Sequence, residues 1–344
     1  MSDPVEPRHH VSRRTLLKGA LAGGAAVVAA SFGVGRLIKG SEQRWDAAAF
    51  PEPGRARVAI LSASGYDGPL EQTVFDGLRA IGADVSGARV LLKPNLIEFD
   101  PTTAINTDPR LIAATVLAMR RLGAASVTVG EGPGHRRDVQ DVVERSGLAD
   151  ALGGVEAPFV DLNADAIGRV GLRSSYTRLG ELWLPASVTE ADVVVSMPKM
   201  KTHHWAGVTL SLKNLFGVLP GRVYGWPKNI LHWQGIEQSI VDVAGAVRPA
   251  YAIVDGIVGM EGNGPISGTP VPAGVVVVGD DPVATDTVTA TLMGFDPERL
   301  GYLVEAGRFL GQGDLEQIDL RGEPIERYAR TFEPPPGAAA RAAG

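Results

Sequence analysis

Cysteine is absent from all 344 residues, so the chain forms no disulfide and offers no thiolate to an iron–sulfur cluster. Any redox role requires a cofactor of another kind. Aromatic residues make up only 6% of the chain and the net charge is −6. With no long basic stripe either, there is little electrostatic drive toward nucleic acid, and it is excluded as a partner. What remains is a composition near the globular average, on a chain long enough for one sizeable core.

The amino terminus carries a strong targeting signal. Ser12-Arg13-Arg14-Thr15-Leu16-Leu17-Lys18 follows the twin-arginine export pattern, with leucine where phenylalanine is commonest. The Gly/Ala-rich stretch 19–34 supplies the apolar region such a signal requires, and it is too short and glycine-rich for a spanning helix. Val28-Ala29-Ala30 before Ser31 forms a small-residue cleavage site. The expectation is export to the periplasm or cell envelope, with the twin-arginine machinery as a partner and membrane contact only through this segment, whether cut or kept as an anchor. Residues 1–35 are thus signal or anchor, 36–56 a linker, 57–330 the folded body, and 331–344 a disordered Pro/Gly/Ala tail.

Within the body, short β-branched runs alternate with amphipathic helices. Strands are predicted at 57–61, 89–92, 126–129, 191–197, 251–254 and 274–278, and helices at 70–81, 110–122, 137–145, 207–218 and 234–247. Asp108 before Pro109 and Asp281 before Pro282 are N-caps followed by an N1 proline. Residues 170–173 and 181–184 alternate like half-exposed strands around a turn. The fold class is therefore α/β: a mostly parallel sheet with helices on both faces, two interwoven lobes and a small inserted antiparallel hairpin.

The predicted strand ends collect polar residues: Lys93 and Asn95, Glu131, the run Pro198-Lys199-Met200-Lys201-Thr202-His203-His204, Asp255 and Asp281. In open α/β sheets the carboxyl edge is where ligands bind. Lysine is a compact charge suited to phosphate or carboxylate, and histidine is a proton shuttle or metal ligand near neutral pH. The pattern predicts a cleft for an anionic small molecule or phosphorylated cofactor. Lys93, Asn95, Glu131, Lys199, Lys213 and Asn214 would bind it, and His203, Lys201, Asp255 and Glu261 would act on it. His203, His204 and Asp255 are the candidate ligands for a divalent cation. Gly130-Glu131-Gly132-Pro133-Gly134 could let amides approach a phosphate, although it is not the dinucleotide fingerprint. Residues 255–265 read as a glycine-dense loop able to fold over the cleft, with Trp205, Tyr224, Trp226 and Trp233 as candidate walls. Asp286, in the first turn of its helix, is a secondary candidate. The competing reading is a non-catalytic envelope protein whose cleft holds a ligand or a redox partner's segment.

Leu92-Lys93-Pro94-Asn95, Thr107-Asp108-Pro109, Gly130-Glu131-Gly132, Pro198 to His203, Leu212-Lys213-Asn214-Leu215-Phe216-Gly217, Asp255-Gly256 with Gly264-Pro265, and Asp281-Pro282-Val283-Ala284 occur in this order. Together they resemble the domain of unknown function family 362 across 57–322. That family implies an α/β domain and no settled reaction. Many of its members are similar to iron–sulfur proteins through a cysteine-rich ferredoxin segment, which this chain lacks. A remoter likeness, in α/β plan alone, is to nickel-dependent lactate racemase, whose lysine and histidines hold a pincer cofactor. Lys199, Lys201, His203 and His204 would carry that analogy.

Overall fold

The computed structural model describes residues 43–134 and 138–336. The twin-arginine segment, the start of the predicted helix 137–145 and residues 337–344 lie outside them. The first strands are β1 (Ala56–Ser62), β2 (Arg89–Pro94), β3 (Ser126–Glu131) and β4 (Phe159–Asp161), followed by β5 (Ile167–Gly171) and β6 (Glu181–Pro185). Then come β7 (Val193–Met197), β8 (Lys199–His203), β9 (Gly207–Thr209), β10 (Tyr251–Glu261), β11 (Thr269–Val271), β12 (Val275–Gly279) and β13 (Ile318–Gly322). The main sheet runs β13-β1-β12-β10-β7-β2-β3-β4, and β5 pairs with β6 in a separate two-stranded sheet, the expected hairpin.

Pairings among β10, β7, β2, β3 and β4 are parallel, while β12 runs antiparallel between β1 and β10. The four strands β2, β3, β7 and β10 therefore end on one edge. Helices Leu70–Ala80 and Pro109–Arg121 cover one face, and helices Ile236–Val247 and Pro282–Leu292 the other. The side-chain period of two divides the core accordingly. Leu91, Val275 and Val277 join one apolar cluster, and Leu92, Val276 and Val278 the other. Two cores separated by one sheet make up a single compact unit of the described residues from Arg44 onward.

Three local expectations are corrected. Residues 198–204, read as a loop leaving a strand, are largely strand β8, paired with β10 on one side and β9 on the other. The glycine-dense segment from Asp255 is strand as far as Glu261. Its glycines serve close packing rather than mobility: a Cβ on Gly259 would stand 2.9 Å from the Met200 carbonyl oxygen, and one on Gly256 2.9 Å from that of Val275. Residues 207–218, read as one helix, divide into β9, the helix Ser211–Asn214 and a 3₁₀ turn Leu215–Val218. The predicted tail is fixed at its start, where the Gly262 amide donates to the Glu333 carbonyl at 2.7 Å. No described helix is long and apolar enough to cross a membrane.

Both predicted caps form. The Asp108 carboxylate accepts from the Arg110 amide at 2.9 Å. Asp281 accepts from Val283 and Ala284 through Oδ1 and from Gln312 through Oδ2 at 2.7 Å, tying the start of helix Pro282–Leu292 to a distant turn. Replacing Asp281 with Ala should cost about 2 kcal/mol of stability, the upper end for an N-cap, in urea unfolding followed by circular dichroism. A change under a few tenths would show that the cap is dispensable.

Candidate functional site

Lys93 closes β2 opposite Ser196 of β7. Its buried ammonium lies 2.5 Å from Glu131 Oε2 and also donates to Asn214 Oδ1 at 2.9 Å and the Pro94 carbonyl at 2.8 Å. Glu131 closes β3, and its carboxylate accepts the amides of Leu96 and Gly132 at 3.1 and 2.8 Å. Asn214 returns its amide to the Lys93 carbonyl at 3.0 Å and to Ser196 Oγ at 3.1 Å. Burial lowers the Lys93 pKa, and the Glu131 charge opposes that push. Every polar atom of this pair is engaged, as a buried ion pair requires.

A second pair sits between β8 and β10, where Asp255 faces Lys199 in register. The Lys199 ammonium lies 2.6 Å from Asp255 Oδ2, 2.9 Å from the Tyr66 hydroxyl and 3.1 Å from the Val258 carbonyl. Tyr66 donates to Asp255 Oδ1 at 2.8 Å, and the Asp108 amide donates to Oδ2 at 2.9 Å. Burial, reinforced by the Asp255 charge, raises the Tyr66 pKa, so this phenol stays protonated.

Lys201 and Lys213 differ. The Lys201 ammonium is fully buried and, among the described residues, donates only to the Ile105 carbonyl, at 2.7 Å. Its pKa is driven well down by burial first, then by the positive charges of Lys199 and Lys213. Half-buried Lys213 lies 4.0 Å over the Phe216 ring and makes no ion pair among the described residues. Burial and the Lys93 charge lower its pKa to about 7. Asn95 holds the covering loop: its carbonyl accepts the Thr107 amide at 2.9 Å, and its amide donates to Thr107 Oγ1 at 3.0 Å. Asn95 Oδ1 is buried without a partner among the described residues.

The histidines lie beside this charge. His203 accepts the amides of Trp205 and Ala206 on Nδ1, at 3.1 and 3.2 Å, and its ring stacks on that of His204 with centroids 4.8 Å apart. Burial, then Lys213, His204, Lys201 and His232, hold its pKa well below the usual value. The exposed Trp205 ring stands edge-on to His204 at 4.5 Å and to His232 at 5.0 Å. Burial and then Lys213 lower His232 to about 4.

Of the residues anticipated from sequence, the structure joins Lys93, Glu131 and Asn214 in one network and Lys199 with Asp255 in another. The charge of Lys213 reaches Lys201, and those of Lys213, His204 and Lys201 reach His203. Glu261 stands apart: it lies past a register shift in β10 between Asp255 and Met260, and its carboxylate accepts the Glu333 amide at 2.9 Å. Nor do His203, His204 and Asp255 form a metal centre. Both Asp255 oxygens are taken by Lys199, Tyr66 and backbone amides, and no group of three or more His, Cys, Asp or Glu that could hold a metal occurs among the described residues.

Sequence reasoning missed Lys228, Tyr66 and His232. Buried Lys228 has φ 65°, and its ammonium donates to the carbonyls of Gly132 and Phe216, each at 2.7 Å. No periodicity announces it. Asp286 was underrated: its carboxylate accepts the amides of Ser211 and Leu212 at 2.7 and 3.0 Å, capping the short helix that carries Lys213 and Asn214. Burial raises its pKa to about 7. A depression of about 560 Å³ between helices Leu70–Ala80 and Pro109–Arg121 is lined by Tyr66, Arg110 and Arg121 and lies on the helical layer, apart from the histidines.

These features define an α/β protein with a lysine- and histidine-rich centre at the carboxyl edge of its sheet. The chain belongs to the family described as Domain of unknown function (DUF362), whose model matches residues 90–291. It is 31% identical over 252 residues to the thylakoid-associated protein sll1697 of Synechocystis, covering 70% of this chain and 75% of that protein. Among solved structures it is similar to the lactate racemase apoprotein of Thermoanaerobacterium thermosaccharolyticum, with a TM-score of 0.40 and 15% identity. That similarity covers 61% of this chain and about half (51%) of the other.

Lys93→Met strands a buried carboxylate and should cost ~3–5 kcal/mol, whereas Lys93→Met with Glu131→Leu should recover most of that loss. Denaturant unfolding of the two variants checks this. Equal losses would mean that Glu131 is satisfied without Lys93.

Proposed function

We propose that the protein binds a small oxyanion, a phosphate or carboxylate group, between Lys201 and Lys213 with the histidines beside it. One observation carries this reading: Lys93 and Lys199 have carboxylate partners, but the ammonium of Lys201 is fully buried against a lone carbonyl and Lys213 has no ion-pair partner among the described residues. Burying a cation without a counter-charge is costly, and the group tends to lose its proton instead. An incoming anion supplies the missing charge and restores both protons. The two neutralised pairs would then act as scaffold, holding the strand ends at which the anion is received. This reading moves Asp255 from an acting group, and Glu131 from a binding one, to positioning ones.

The twin-arginine motif at Arg13-Arg14 supports export of this domain to the cell envelope. The thylakoid association in the name of the Synechocystis relative belongs to that protein. For this chain, replacing both arginines by lysine should leave the protein in the cytoplasm on fractionation of expressing cells; unchanged export would refute the signal.

Inorganic phosphate should raise the melting temperature of the exported protein, and Lys201→Met with Lys213→Met should abolish that rise. The pH dependence has a definite sign. Lys213 is charged in the folded protein only below about 7, against an ordinary 10.5. Phosphate affinity should therefore weaken as pH rises through 7, approaching ~10-fold per unit, as measured by calorimetry. Without anion, the unfolded chain holds the Lys213 proton that the folded chain lacks between about 7 and 10.5. Its contribution to stability should therefore climb with pH across that window. Affinity independent of pH from 6 to 9 would contradict the role of Lys213.

A further inference from the structure

Two adjacent histidines are fixed by different backbone groups, and the difference determines which ring edge carries a proton. His203 Nδ1 faces two donors, the amides of Trp205 at 3.1 Å and Ala206 at 3.2 Å. An amide can only donate, so this nitrogen must keep its lone pair, and the neutral ring carries hydrogen on Nε2. His204 Nδ1 lies 3.0 Å from the Gly264 carbonyl oxygen. A carbonyl can only accept, so this nitrogen carries the hydrogen, and the neutral ring leaves a lone pair on Nε2. The surroundings maintain the difference. Gly207, at φ 80°, closes the turn that delivers the two amides to His203. The Gly264 approach is too close for any Cβ, which would collide with the Thr202 carbonyl. The two rings stack with centroids 4.8 Å and planes 23° apart, so a ring with a donor Nε2 lies against a ring with an acceptor Nε2, and the charges of Lys213 and Lys201 act on His203.

We propose that His203 Nε2–H and the His204 Nε2 lone pair form a matched donor–acceptor pair selecting an oxyanion that still carries a proton, such as hydrogen phosphate, over one that carries none. His203 donates to an anionic oxygen. His204 accepts the ligand's hydroxyl hydrogen, and against a proton-free anion its lone pair faces another lone pair. The rest of the selection comes from charge: the lysines attract any small anion, and the histidines distinguish among them. This inference rests on the anion-binding reading above, and adds a chemical class to it. It also shifts the emphasis between the two histidines, of which the sequence reading assigns His203 to act on the ligand, because His203 has no lone pair to offer and His204 has.

Sulfate and phosphate, matched in size and shape, separate the two ideas. At pH 7.5 calorimetry on the exported protein should show phosphate binding ~10-fold or more tighter than sulfate, the scale of one hydrogen bond to a charged group. Asparagine at either position can keep the backbone contact while deleting the far ring edge. His204→Asn should therefore bring phosphate down to the sulfate level, whereas His203→Asn should weaken both ions alike. Equal binding of the two ions by the wild type would overturn the selection and leave anion binding standing. Binding of neither would overturn both. In the ion-free protein, two-bond ¹H–¹⁵N correlations of labelled histidine should show Nε2–H at His203 and Nδ1–H at His204; the same tautomer at both would overturn the pairing regardless of affinity.

Discussion

Buried lysines at one edge of the sheet organise this centre. Parallel strands β2, β3, β7 and β10 deliver their last side chains to one edge, and the sequence places lysine there repeatedly. Two of those cations meet a carboxylate on a neighbouring strand, Lys93 with Glu131 and Lys199 with Asp255. Such pairs contribute little net stability, because desolvating both charges offsets their attraction, but removing one member is expensive. They therefore fix geometry. They hold the ends of adjacent strands in register while Lys201 and Lys213 stay without ion-pair partners among the described residues. Burial first, then Lys213 and Lys201 among other charges, lower the pKa of His203, and burial and then Lys213 lower that of His232.

The architecture serves that edge in an indirect way. Asp286 is deep in a helix of the opposite layer, yet its carboxylate caps the four-residue helix Ser211–Asn214. That helix is too short to persist by its own propensity. Its position depends on the cap at one end and on Asn214, which bridges β2 and β7, at the other. Lys213 lies between those two anchors. Glycine acts in the same sense along β10, where Gly256 and Gly259 permit β8 to lie close against the strand. Gly217 is comparably constrained: a Cβ there would collide with Glu131 and Lys93.

Much of this was legible in the sequence, for identifiable reasons. Buried parallel strands read as short β-branched runs, as at 126–129, and the Asp-Pro caps at 108–109 and 281–282 encode their own geometry. Polar residues expected at strand ends do meet in the fold, Lys93 with Glu131 and Lys199 with Asp255. What failed was reading segments whose structure depends on distant partners. Lys199 to His203 carries too many charges to look like strand, and it becomes one because β10 and β9 flank it. The glycines of 256–262 suggested mobility and instead allow tight contact. Tyr66 and Lys228 lie in connecting segments where neither spacing nor neighbours mark them, and their importance comes from tertiary hydrogen bonds alone. Glu261, paired with Asp255 by proximity in sequence, instead receives the Glu333 amide.

The account stands or falls on where an anion settles. A crystal structure of the protein grown with inorganic phosphate tests it most directly. The account predicts phosphate density within hydrogen-bonding distance of both Lys201 Nζ and Lys213 Nζ, alongside the Nε2 edges of His203 and His204. Phosphate found only at surface arginines, with Lys201 still bonded to the Ile105 carbonyl alone, would contradict it.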